Sequence, residues 1–120
     1  MALENAQLTT SRLDLFVGGV PANKRFAITS IMVCNTYDPN AGDASANTAS
    51  FDMHFRKAGQ ALSNSVTCVV RSLDLVAGET FTFDTEKVIL DQGEELSFVA
   101  FPALVGELTN LSVSVSYLEV

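Results

Sequence analysis

Apolar and polar side chains alternate with a period of two along most of this chain, and turn residues interrupt the alternation at short intervals. Leu13, Leu15 and Val17 oppose Arg12, Asp14 and Phe16 until Gly18-Gly19, after which Val20-Pro21-Ala22-Asn23-Lys24 reads as a turn. From Phe26 to Thr36 the run is nearly continuous, with Phe26, Ile28, Met32 and Cys34 on one side and Ala27, Ile31 and Val33 on the other. A strand apolar on both faces is expected at the centre of a sheet, or under a partner. Phe51, Met53 and Phe55 alternate with Asp52, His54 and Arg56, the clearest half-buried strand. After the Lys57-Ala58-Gly59-Gln60 turn, Val66, Cys68 and Val70 are expected to face inward and Thr67 and Arg71 outward. Phe81 and Phe83, Val88 to Leu90, and Leu96, Phe98 and Ala100 supply three further strands, the last ending at Phe101-Pro102. Leu111, Val113, Val115 and Tyr117 then alternate with Ser112, Ser114 and Ser116.

About eight short strands with turns every 8–15 residues predict an all-β chain, an antiparallel β-sandwich of jelly-roll type. No amphipathic helical window or repeat competes with it. Two segments lie outside the alternation. Residues 1–10 read as a flexible arm ahead of a single domain over 11–120, and Tyr37 to Ala49 as a long polar loop. Both are candidate interfaces, with Leu3, Glu4, Asn5 and Gln7 in the arm and Tyr37, Asp38, Asn40 and Asp43 in the loop.

Composition narrows the function classes. The 120 residues carry 7 basic and 14 acidic side chains, a formal charge of −7 that argues against nucleic acid as a partner. Only 18% of residues are charged against 48% hydrophobic, so much of the surface consists of Ser, Thr, Asn, Ala and exposed apolar groups. Surfaces of that kind are often covered by neighbouring subunits, and a homo-oligomer is expected. The start of the chain lacks the pattern of a signal peptide, and no segment is apolar enough to span a membrane. Asn110-Leu111-Ser112 matches a glycosylation sequon that means little without secretion. Cys34 and Cys68 are expected to be buried free thiols, since one histidine leaves too few ligands for zinc.

Chemistry is sparse. His54 is the only histidine, sits between Asp52 and Arg56 on what reads as an exposed strand face, and has no nucleophile elbow to serve. Asp91, Glu94 and Glu95 cluster at a turn, but no Trp and only two Tyr are present to line a sugar cleft. Asp38, Asn40 and Asp43 offer oxygen ligands at a spacing unlike that of an EF-hand, with Ala49 where a distal Glu is needed. Gly18-Gly19 lacks the residues of a phosphate loop. The expectation is a non-enzymatic protein with no cofactor, metal or small-molecule substrate. A carbohydrate-binding module centred on Tyr37, Asp38, Asn40 and Asp43 is the alternative from another class.

Several strings carry a family resemblance. Val20-Pro21-Ala22-Asn23-Lys24, leading into a strand that ends Cys34-Asn35-Thr36, resembles a stretch common in small virion proteins of tailed bacteriophages. Leu75-Val76-Ala77-Gly78-Glu79-Thr80 is similar to their L-x-A-G-E-T turn, and Val88 to Leu96 to their V-L-x-x-G-D-x-L hairpin. A last strand ending Leu118-Glu119-Val120 closes the chain in the same manner. The resemblance runs from about Val20 to Val120 and departs from the usual pattern in the longer Tyr37 to Ala49 loop. It implies a virion structural protein, assembled in the host bacterial cytoplasm, that binds major capsid or neck and tail subunits through sheet edges, loops and the arm. A capsid decoration protein is the first expectation, and a neck or tail adaptor or fibre-attachment protein the second.

Overall fold

The computed structural model describes residues 2–16, 19–83, 88–101 and 108–120. Among these residues nine strands run β1 (Ala2–Thr9), β2 (Leu13–Leu15), β3 (Phe26–Asn35), β4 (Ala49–Arg56), β5 (Cys68–Leu75), β6 (Thr80–Phe83), β7 (Val88–Leu90), β8 (Glu95–Phe101) and β9 (Leu108–Glu119), with one 3-10 turn at Ala44–Ala46. The first sheet has the order β1-β9-β3-β6, with β7 also on β3, and the second β2-β8-β4-β5. Every strand pairing is antiparallel. β6 pairs with Ile31–Cys34 and β7 with Phe26–Ile28, so the two fragments share one sheet position. Counted together they leave eight positions, ordered 1-8-3-6 in one sheet and 2-7-4-5 in the other, which is the jelly-roll connection.

The inner faces supply the core. Leu8, Phe26, Ile28, Ile31, Val33, Leu111, Val113 and Val115 come from the first sheet, and Leu15, Phe51, Met53, Leu96, Phe98 and Ala100 from the second. Phe51 and Phe98 are fully buried, each stabilising the fold by roughly 1.5–3 kcal/mol relative to exposure. Phe81 on the first sheet lies 5.7 Å from Phe51 on the second, and Phe26 lies 4.6 Å from Tyr117 on the neighbouring strand of its own sheet.

Four expectations change. Residues 2–9 are β1, hydrogen-bonded along β9 and anchored by buried Leu8, in place of a loose arm. The Phe26 to Thr36 run is apolar on two faces only on paper. A register shift between Ile28 and Ser30 against β9 inserts a residue, reverses the parity, and turns Phe26, Ile28, Ile31 and Val33 all inward. Thr29 occupies the bulge, its hydroxyl 3.0 Å from the Ser116 carbonyl. A similar irregularity separates Met53–Val70 from His54–Cys68, placing Cys68 on the outer face of the second sheet, while Val66 is 70% exposed and Thr67 is buried. Cys34 and Cys68 are free and half-buried, on the outer faces of opposite sheets, so the thickness of the sandwich separates them. Finally, His54 is fully buried, beneath the segment 57–67.

Candidate interaction surface

The strand register lays out the outer face of the first sheet row by row. Gln7, Ser112, Cys34 and Thr80 form one row, and Asn5, Ser114, Met32 and Thr82 the next. Leu3, Ser116 and Ser30 follow, then Leu118, Ala27 and Ile89. None of these side chains is charged, on a chain whose formal charge is −7. Leu3 (61% exposed), Met32 (43%), Ile89 (42%) and Leu118 (38%) are large apolar groups left to solvent among short hydroxyls. A partner meeting this face strips water from hydroxyls and apolar carbon without desolvating a carboxylate, the costly step elsewhere on such a surface.

The outer face of the second sheet is the opposite in character. Arg56 donates from Nε to Ser97 Oγ at 2.9 Å, and Ser97 Oγ donates to Asp14 Oδ1 at 2.6 Å. The Arg56 guanidinium also pairs with Asp14 and Glu95, and donates to the Gln60 carbonyl at 2.8 Å. Asp52 is buried and accepts from Arg71 Nη1 and from the Ser72 amide, both at 2.7 Å. Thr67 Oγ1 donates to the Ser63 carbonyl at 2.9 Å and lies 2.9 Å from His54 Nδ1. With that hydroxyl proton committed, Nδ1–H of His54 is the donor to Thr67, and Nε2 keeps a lone pair that no hydrogen-bond donor among the described residues meets. Burial, the largest influence, pushes the His54 pKa below its ordinary value; Asp52 pulls it up, and Arg71 and Arg56 press it down. Burial likewise raises the Cys68 thiol. The expected exposed strand histidine is therefore a neutral group inside a covered polar layer. A cavity of about 400 Å³ opens between this cover and β7, lined by Phe55, Val66, Val88, Ile89 and Leu90 together with the charged Lys57 and Glu94.

The eight residues singled out from sequence separate into two groups. Leu3, Asn5 and Gln7 stand on the uncharged face, whereas Glu4 points to the other side of β1, opposite Val115, where it is exposed. Tyr37, Asp38, Asn40 and Asp43 belong to the loop beyond the Gln7 end, which is tied to β9 by the Thr36 amide on the Asn110 carbonyl at 2.7 Å. Leu3 lies four residues further along β1, ~14 Å from Gln7, so arm and loop do not make one patch. The loop is bonded within itself: the Tyr37 hydroxyl donates to Asp43, and the Asn40 amide to Asp38 Oδ1 at 2.9 Å. The hydrogen bond to Asp43 is the main reason the Tyr37 pKa is raised. Among the described residues, no three or more of His, Cys, Asp and Glu gather where they could hold a metal ion. Sequence reasoning missed Met32, Thr80, Thr82 and the Ser112-Ser114-Ser116 stripe; the serine alternation was legible, but not that it lay between other uncharged strands.

Comparison of the chain with protein-family models, curated proteins and solved structures gives no match. The strings behind the phage resemblance occupy joints of the scaffold. Asn35 receives the Gly78 amide at 2.9 Å and donates its own to the Glu79 carbonyl at 2.9 Å, so the C-N-T and A-G-E-T segments are bonded together. Gly78 has φ +80°, and a Cβ there would stand 2.9 Å from the Pro39 ring. Gly19 (φ +89°) packs against the Gly93 backbone, while Val20 exchanges hydrogen bonds with Gly93 and Glu94.

Proposed function

We propose that this chain is a non-enzymatic structural subunit of a tailed-phage virion, a capsid decoration protein that seats the outer face of its first sheet on a neighbouring virion subunit. The observation that carries the reading is the contrast between that uncharged, partly apolar face and the acidic character of the chain as a whole. A face of this chemistry is suited to burial in a protein contact. The resemblance in turn and strand segments supplies the virion context, and a neck or tail position would use the same surface.

The test is co-sedimentation of the full chain with heads, necks and tails from particles assembled without it. Met32→Arg places a guanidinium in the middle of the face at an exposed position. The wild-type chain should bind one of these components at micromolar concentration. The variant should bind at least tenfold more weakly, about 1.4 kcal/mol, with an unchanged melting temperature. Absence of binding to every virion component, or equal binding by Met32→Arg, overturns the reading.

A further inference from the structure

We infer that the outer edge of β1 is a self-association edge, where two copies of this chain pair β1 with β1 antiparallel about a two-fold axis at Asn5. Exposed sheet edges invite foreign strands, and proteins usually blunt them with shortness, bulges, charge or proline. The other edges here carry such devices. β2 has 3 residues. Among the described residues the far edge of the first sheet consists of β6 and β7, of 4 and 3 residues. β5 has two register shifts, a left-handed Ser72 (φ 49°), and the charges of Arg71 and Asp74. β1 is different: six of its 8 residues, Ala2 to Gln7, keep unbroken register before a single shift at the Thr9 end, and the strand has no Lys, Arg or Pro and Glu4 as its single charge.

The occupant follows from charge and area. Centred on Asn5, the pairing sets Glu4 opposite Ala6 of the second copy, whereas centring it on Glu4 would oppose two carboxylates, which is destabilising. The same two-fold axis runs perpendicular to the sheet and leaves both uncharged faces on one side. Four strand positions and about eight residues of length give one copy a footprint of ~500 Å². A standard stable contact buries about 800 Å² per partner. One face is therefore too small, and the doubled face of ~1,000 Å² is large enough. The inference rests in part on the assembly role proposed above, since it names the first partner in that assembly.

Two tests use the full chain. Light scattering over a dilution series should show the mass doubling as concentration rises. In a Cys34→Ser background, Asn5→Cys should oxidise to a covalent dimer at least tenfold faster than Leu3→Cys. The axis brings the two Asn5 positions to a Cα separation of ~4.5–5.5 Å, within disulfide reach, and keeps the two Leu3 positions ~14 Å apart. A folded chain that stays monomeric at its highest soluble concentration, or cross-linking that is equal at both positions, overturns the inference. A monomer that still binds virion components overturns this pairing and leaves the assembly role standing. A dimer that binds none of them does the reverse.

Discussion

Replacing Asn35 with alanine is expected to lower the unfolding free energy by about 3 kcal/mol. The side chain is fully buried at the end of β3. Its amide nitrogen donates to the Asn47 carbonyl at 2.8 Å and the Leu75 carbonyl at 3.0 Å, and its oxygen accepts from the Tyr37 amide at 3.1 Å. One amide thus joins the 36–48 loop, the entry to β4 and the end of β5. Each bond contributes about 1 kcal/mol net, and its loss leaves a main-chain group with little access to water. For a chain of 120 residues, that magnitude corresponds to a melting temperature lower by ~10–15 °C. Asn35→Asp sharpens the test. The shape is retained, but two carbonyl oxygens then face a carboxylate oxygen in place of a donor, so at neutral pH Asp should cost more than Ala. Acidification that protonates the carboxyl should narrow the gap. Urea unfolding followed by circular dichroism, backed by calorimetry, measures both variants. A loss under ~1 kcal/mol for Asn35→Ala, or a milder effect for Asn35→Asp, would refute the reasoning.

His54 predicts a pH dependence. Its folded-state pKa lies below the unfolded value near 6.5, so the unfolded chain takes up the proton first. Its contribution is therefore complete above pH ~6.5 and is lost as pH falls through the folded value, at up to ~1.4 kcal/mol per pH unit. Asp52 and Arg56 on β4, with Arg71 and Cys68 on β5, are the ionisable groups nearest it in the sheet. His54→Gln should remove this component, so urea midpoints of wild type and variant between pH 7 and 5 should diverge; parallel curves would contradict it. Gly19→Ala should cost about 2 kcal/mol or more, because φ is +89° and the new Cβ would stand 2.5 Å from the Gly93 carbonyl oxygen. Gly42→Ala, which meets nothing within 4 Å, is the control and should melt near wild type.

Much of the core was legible because period-two alternation reports directly which side of a strand is dry. Phe51, Met53, Leu96, Phe98, Leu111, Val113 and Val115 are all buried, at positions where the pattern placed an inward face. The pattern misleads where a second layer covers the outside of a sheet. Asp52, His54 and Arg56 have the polar character of a solvated face, yet Thr67 and Gln60 of the 57–67 segment bond to His54 and Arg56, and Arg71 and Ser72 of β5 bond to Asp52, which makes their burial tolerable. The candidate site was legible only by composition. Scarcity of charge implied a surface suited to contact, but the uncharged residues could not be gathered without the strand order that sets β1, β9, β3 and β6 side by side.

Local alternation and turn residues in this sequence determined the fold class, the approximate strand count and most inward-facing side chains, since those depend on neighbours one or two residues away. Tertiary structure decided the parity of β3, the fate of residues 2–9, the burial of His54 and the existence of an uncharged face. Each of these depends on which strands, distant in the chain, exchange main-chain hydrogen bonds, and one bulge at Thr29 is enough to turn a side chain from solvent to core.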